Sequence, residues 1–341
     1  MPRALLATAV LLVAACPART DPTAEQLRDW VRDLDSSSYR TRDQAAQRLR
    51  GAGADAAPVL AKAARSGSSE VADRALRLLG EMAEGKDPKA EAAARRQLRR
   101  LADSESGVAR EALAILNRRR NILLAVLVFA GATYREEGGR VTAVDLDDVT
   151  DLTGVLPVLK EFPEIEYVSL SSRRFNDTMV AHLAALPNLQ DLNLYRSNIG
   201  DEGLKQLTGL TNLRRLPMGE SRVTDEGLKV IAGMTQLEYV GVRGNNVTDA
   251  GLVHLKGLTN LTGLYLGETK VTDDGLKRLA PLTRLRELYL HTTGITDAGL
   301  EHLKELKDLR SVYLGKTKTT EDGRMRLREA IPGLEVHDDP N

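Results

Sequence analysis

The sequence predicts an α/β solenoid, with a parallel sheet inside and helices outside, preceded by an all-α helical-repeat or bundle module. Three observations predict it. Apolar residues recur as a fixed triplet every 24 residues through the C-terminal half. Within each such unit the hydrophobic period switches from 2, a strand, to the i, i+3 spacing of a helix. The N-terminal part is rich in Ala, Leu and Arg at helical spacing. A chain of 341 residues fits about two domains.

Taken in order, Met1-Pro2-Arg3 gives a short positive start and Ala4 to Val13 an apolar run. That run is too short to cross a bilayer, which needs ~20 apolar residues. Val13-Ala14-Ala15-Cys16 follows, and resembles the lipobox of a bacterial lipoprotein signal peptide. The resemblance implies cleavage after residue 15, lipidation of Cys16, a linker over 16–22, and export to the cell envelope on the periplasmic or surface side. Stable anchoring needs more than one acyl chain, which such processing supplies. An ordinary secretory peptide with an incidental Cys is the alternative. Cys16 is the sole cysteine, so an intramolecular disulfide is excluded.

Residues 23–120 read as short helices. Asp21-Pro22 and Asp87-Pro88 each set a capping side chain before a Pro suited to the first helical position. Leu27, Trp30, Val31 and Leu34 mark one helical face; Ala45, Ala46 and Leu49 continue it up to a Gly51-Ala52-Gly53 break. Val71, Ala75, Leu76, Leu78 and Leu79 mark a further helix, and the same spacing returns at Val108, Ala112, Leu113, Ile115 and Leu116. With Arg42, Arg74 and Arg110 near the helix starts, this part resembles HEAT-like repeats, with a plain bundle as the other reading. Arg95-Arg96, Arg99-Arg100 and Arg118 to Arg120 read as solvated helix faces. Residues 121–140 are expected to cap the next domain: Ile122 to Ala132 closes its open end, and a hairpin turns at Glu137-Gly138-Gly139.

Eight 24-residue repeats fill 141–332. Val141, Ile165, Leu189, Leu213, Leu237, Leu261, Leu285 and Leu309 open them. Three and five positions later, every copy is apolar again (Leu192 and Leu194, Leu264 and Leu266). Leu204, Leu207 and Leu210 show the helical half of the unit. A single unit cannot bury its apolar edge, whereas stacked units bury it on one another.

The pattern Leu-x-x-Leu-x-Leu-x-x-(Thr/Ser/Asn)-x-(Val/Ile)-Thr-Asp-x-Gly-Leu, nearly complete over Leu261 to Leu276, resembles the leucine-rich repeat family. Its Thr-Asp-x-Gly-Leu element is similar to repeats of planctomycete-type bacterial leucine-rich repeat proteins. The usual ladder Asn stands only at Asn245; Ser197, Ser221, Thr269, Thr293 and Thr317 replace it, with hydroxyls able to bond loop amides. The period-24 Asp column (Asp177 to Asp297), with the Thr before it, is expected to cap the amides of its own helices and to meet their positive dipole ends. The Gly column (Gly203 to Gly323) is expected to allow close packing of helix starts. Residues 333–341 form the C-terminal cap and tail.

The halves carry opposite charge: 1–140 holds 24 basic and 18 acidic residues, 141–341 holds 24 and 30. Neither is basic enough for a nucleic-acid binder. No metal-ligand spacing, phosphate-binding loop or nucleophile motif occurs, so no catalytic residue, metal or cofactor is expected. The tyrosines are the functional signal. Tyr167, Tyr195, Tyr239, Tyr265, Tyr289 and Tyr313 alternate away from the buried leucines, the last three at one position of consecutive repeats. Arg196, Arg215, Arg243 and His291 are expected beside them on the concave face. This mixture suits a protein or peptide ligand. A glycan on an aromatic ladder, a passive envelope scaffold, and mere strand packing of Tyr are the alternatives.

Overall fold

The computed structural model describes residues 21–338. The leader, Cys16 and the last residues of the tail lie outside them. The chain divides into two compact units, Met1–Ile122 and Leu123–Asn341.

The first unit is helical: α1 (Ala24–Asp33), α2 (Tyr39–Gly51), α3 (Ala56–Ser66), α4 (Ser69–Ala83), α5 (Pro88–Ala102) and the start of α6 (Ala109–Phe129). Short polar side chains set the starts. Ser38 and Ser68 cap α2 and α4, and Asp87 caps α5 with Pro88 in its first turn. At α1 the expected Asp21-Pro22 start gives way to a capping box between Thr23 and Gln26, which satisfies two amides reciprocally. Alanines close the helix contacts: Ala45, Ala57, Ala75 and Ala94 are fully buried around Leu49, Leu60, Leu76 and Leu98. Leu113, expected on the buried face of α6, is 48% exposed, while Ala112 beside it is buried.

In the second unit Leu124, Leu127 and Ala132 join the solenoid core, and β1 (Thr133–Glu137) and β2 (Arg140–Asp145) form an antiparallel hairpin. Eight further strands extend the sheet in chain order, all parallel: β3 (Tyr167–Ser169), β4 (Asp191–Asn193), β5 (Arg215–Pro217), β6 (Tyr239–Gly241), β7 (Gly263–Tyr265), β8 (Glu287–Tyr289), β9 (Ser311–Tyr313) and β10 (Glu335–His337). The register is the sequence repeat itself: Val240 lies beside Leu264, and Leu264 beside Leu288. Every residue of that central column from Val144 to Val312 is fully buried. The outer elements are short: α7 (Leu152–Leu159), α8 (Asp201–Leu207), α9 (Asp225–Ile231), α10 (Asp249–Leu252), α11 (Asp273–Leu276), α12 (Asp297–Glu301) and the longer α13 (Glu321–Ala330). In the second copy the place is taken by a 3-10 turn, Asp177–His182.

The Asp column does something other than cap its own helix. The N-caps are the threonines, Thr224, Thr248 and Thr296 each accepting an amide of the helix they precede. Each Asp reaches forward into the next copy: Asp177 accepts from the Gly200 amide, and Asp201 to Asp297 accept from both the amide and the hydroxyl of a Thr. Asp225 holds Thr248 N at 2.8 Å and Oγ1 at 2.6 Å, and Asp249 holds Thr272 at the same distances. Asp201, Asp273 and Asp297 repeat the arrangement. The same carboxylate explains the Gly column. A Cβ on Gly251 would lie 2.3 Å from Asp225 Oδ1, and on Gly299 2.2 Å from Asp273 Oδ1. Thr, Asp and Gly thus form one staple between consecutive copies.

The ladder hydroxyls bond loop amides as expected, Ser197 Oγ accepting from Ile199 N and Ser221 Oγ from Val223 N, and they also close their own turn. Thr269 Oγ1 donates to Leu266 O (2.6 Å) and Thr317 Oγ1 to Leu314 O (2.7 Å). Asn245 alone among them bridges copies, donating to Met218 O and accepting from Ser221 N. At the residue just before each ladder position the backbone enters the left-handed region: Arg196, Glu220, Gly244, Glu268, Thr292 and Lys316 (φ 51–69°). Among the described residues five non-glycine residues are therefore held there, a cost that the surrounding stack must offset.

Candidate functional site

The outward side chains of the strands fall into columns 24 residues apart, and the aromatic residues in them adopt two postures. In the column that ends each strand, Tyr265, Tyr289, Tyr313 and His337 stand up and stack. Ring centroids are 4.0, 4.1 and 4.6 Å apart, with interplanar angles of 14, 6 and 22°. This spacing is shorter than the ~4.8 Å between strands, so the rings lean into contact. Tyr239, Tyr195 and His291 lie down over glycines. A Cβ on Gly263 would meet Tyr239 Cδ2 at 2.6 Å, one on Gly219 would meet Tyr195 Cδ2 at 3.1 Å, and one on Gly267 would meet His291 Cε1 at 2.2 Å. The alternation of Tyr and Gly is thus a packing requirement of this face.

Charged groups frame the aromatics in pairs. Arg215 lies 4.6 Å from the Tyr239 ring centroid and donates from Nε to Asp191 at 3.0 Å. Arg196 donates to Glu220 at 2.9 Å, and the Tyr195 hydroxyl donates to the same carboxylate. Arg243 pairs with Glu268 at 2.7 Å. The electrostatics follow from this setting. Burial pushes the Tyr239 phenol up to about 12, and raises Tyr265 and Tyr289 as well. Burial also raises the Asp191 carboxyl, against the pull of Arg215. Glu220 is held below the usual carboxylate range, first by the Arg196 hydrogen bond and then by that of Tyr195.

The sequence-predicted site residues distribute as follows. Tyr239, Tyr265, Tyr289 and Tyr313 lie half-buried on β6 to β9. Tyr167 begins β3, farther along the sheet, beside Asp191 in register. Tyr195 and Arg196 stand in the turn after β4 and not in the strand. His291 is 4% exposed, so it underlies the surface: its ring meets Tyr265 edge-on at 5.6 Å. His337 was not singled out from the sequence. Its signal was available, since it follows Tyr313 by one period and occupies the register place beside it. Glu220 and Glu268, which fix the arginines, carry no such signal because their pairing depends on the turn geometry. Among the described residues no cluster of His, Cys, Asp and Glu could hold a metal ion, and no helix is long and apolar enough to cross a membrane.

Comparison with known proteins bears on the fold. The family described as Leucine Rich repeat matches residues 185–207. No curated protein sequence matches the chain. Among solved structures, the chain is similar to an internalin (inlF) from Listeria monocytogenes, at 21% identity and a TM-score of 0.44, covering 60% of this chain and 59% of that one. It is also similar to internalin C2 (inlC2) of the same organism, at 31% identity and a TM-score of 0.40, covering 48% and 66%. A third is the ectodomain of the plant receptor kinase GASSHO1/SCHENGEN3 from Arabidopsis thaliana, solved with CASPARIAN STRIP INTEGRITY FACTOR 2. It shows 15% identity and a TM-score of 0.39, covering 59% of this chain and 24% of that one. The chain spans about three fifths of the first structure's length. The repeat register, the ten-stranded sheet and the matched repeat agree: the Leu123–Asn341 unit is a leucine-rich repeat solenoid, and an all-helical module precedes it.

Proposed function

We propose that the chain is a non-enzymatic binding protein whose sheet face takes a protein or peptide partner. We further propose that a lipid on Cys16 displays it at the bacterial cell envelope. The observation that carries the first reading is the self-stacked row of Tyr265, Tyr289, Tyr313 and His337. Each ring face inside the row is covered by its neighbour, so a ligand meets ring edges and phenolic hydroxyls. Edges and hydroxyls suit peptide groups and apolar side chains, whereas stacking on a sugar ring needs an open aromatic face. The peptide reading therefore stands ahead of the glycan one. The row is also fixed before binding, which lowers the ordering cost of association.

The test compares the full chain with its Tyr265→Ala/Tyr289→Ala/Tyr313→Ala form in cross-linking capture from envelope extract, followed by affinity measurement on the captured partner. The expected result is a partner whose Kd weakens at least about tenfold in the variant, the loss of ~1.4 kcal/mol. Equal affinity of both forms, with circular dichroism showing both folded, would remove the tyrosine row from the site. Retention of isolated cell-wall glycan by the parent and its loss in the variant would move the reading to a glycan ligand.

A further inference from the structure

A second, chemically different feature lies at the edge where the strands begin. The residue before each opening leucine is an amide in four consecutive copies, and each amide donates back to a carbonyl of the preceding copy. Asn188 reaches Pro163 O, Asn212 Pro187 O and Asn260 Thr235 O, each at 2.9 Å, and Gln236 reaches Leu210 O at 3.1 Å. At the next copy the series changes to Arg284, whose guanidinium donates to Asn260 Oδ1 at 2.7 Å. Where the amides give way to arginine, a cleft of about 400 Å³ opens, lined by Arg214, Gln236, Glu238, Asn260, Thr262, Arg284 and Arg286.

The chemistry of the lining is one-sided. Glu238 is its only carboxylate and is taken by Arg214 at 2.5 Å. The Gln236 and Asn260 amides are each engaged with a carbonyl, and the Thr262 hydroxyl donates to Glu238 O at 3.1 Å. What remains are the guanidinium N–H groups of the exposed Arg284 and Arg286, for which no carboxylate partner stands in ion-pair reach among the described residues. A guanidinium presents five donors in a planar fork that matches an oxyanion bidentately. The second half of the chain nonetheless holds 24 basic against 30 acidic residues, so a long polyanion is repelled as a whole. A local positive cleft on a negative body selects short acidic segments.

We propose that this cleft is a binding site for the carboxylates of an acidic peptide segment, held by Arg284 and Arg286. It stands apart from the tyrosine row and does not depend on it.

The experiment measures fluorescence anisotropy of labelled hexaglutamate with the full chain at about 50 mM salt, where charge contacts are only weakly screened. The expected result is saturable binding that weakens at least about tenfold in Arg284→Gln/Arg286→Gln. Binding should stay within about twofold in the Tyr265/Tyr289/Tyr313 alanine form and in Arg278→Gln, an exposed arginine of the outer side. Both Arg284 and Arg286 are exposed, so an unchanged thermal midpoint is expected and confirms folding. Absent saturable binding, or equal loss in Arg278→Gln, overturns the proposal. Free glutamate or inorganic phosphate binding as tightly as the peptide also overturns it, in favour of a small-anion site.

Discussion

Two sides of the same repeat follow opposite rules. At the helix starts, four consecutive copies carry Thr-Asp-x-Gly (224–227, 248–251, 272–275 and 296–299), and the same two hydrogen bonds recur from copy to copy. Across the sheet face no column keeps one residue for more than three copies; the column ending each strand runs Asn193, Pro217, Gly241, then Tyr265, Tyr289 and Tyr313. The regular side is what any copy needs in order to stack on the next. The irregular side is what stacking leaves free, and there a ligand can be specified. The comparison breaks if the regular side proves dispensable or the irregular side proves to be core.

The largest effect is expected at the staple. Gly251→Ala places a methyl 2.3 Å from Asp225 Oδ1 and 3.0 Å from Leu228 Cδ1, and should cost about 3 kcal/mol in urea unfolding. Asp225→Ala leaves the amide and hydroxyl of Thr248 without their acceptor, at a cost of about 2 kcal/mol. Because the two side chains compete for one space, the double variant should be less damaged than the sum, by about 1 kcal/mol or more. Gly233→Ala is the control: a Cβ there meets nothing within 4 Å, so stability should hold within about 0.5 kcal/mol. Strict additivity at Asp225 and Gly251 would dissolve the staple into two unrelated positions.

How legible each side was in the sequence follows the same division. The triplet Leu261, Leu264 and Leu266 announced strand and register because burial of one face imposes period 2, and that burial is complete. The Asp and Gly columns were visible as columns, yet their partner was not. A carboxylate can cap its own helix or reach the next copy, and only the spacing of stacked copies decides for the second. On the sheet face, Tyr265, Tyr289 and Tyr313 were legible as a row by period alone. His291 was not placed correctly, because its burial depends on Gly267 leaving room for the ring. The arginines were legible as residues but not as pairs, since Glu220 and Glu268 come into reach only through turns in the left-handed region.

A second prediction sets neighbours on one strand against each other. Leu288 and Tyr289 are adjacent on β8, the first fully buried and the second half-exposed in the ring row. Leu288→Ala should cost about 3 kcal/mol through the cavity it leaves. Tyr289→Ala removes two ring stacks and should cost about 1–2 kcal/mol. Comparable losses in denaturant unfolding would mean that the sheet face is core by another name. A small loss at Tyr289 leaves the row available for a partner.

The smallest expected effect separates the two sides by pH. At the staple, the Thr320 hydroxyl and amide hold the Asp297 carboxyl below its ordinary range. A depressed group contributes stability above the unfolded-state value near ~4 and loses it as pH falls through the folded value. On the sheet face the sign reverses. Burial raises Tyr239 to about 12, so the folded state keeps a proton that the unfolded chain releases near ~10. That contribution is complete below pH ~10 and is lost as pH rises toward 12. Ultraviolet titration of phenolate, with urea unfolding at each pH, reads both arms. Tyr239→Phe should reduce the alkaline arm, which Tyr265 and Tyr289 share, and leave the acid arm unchanged; Asp297→Asn should reduce the acid arm alone. If Tyr239→Phe leaves the alkaline arm undiminished, the phenol is solvated and the lying-down posture over Gly263 is wrong.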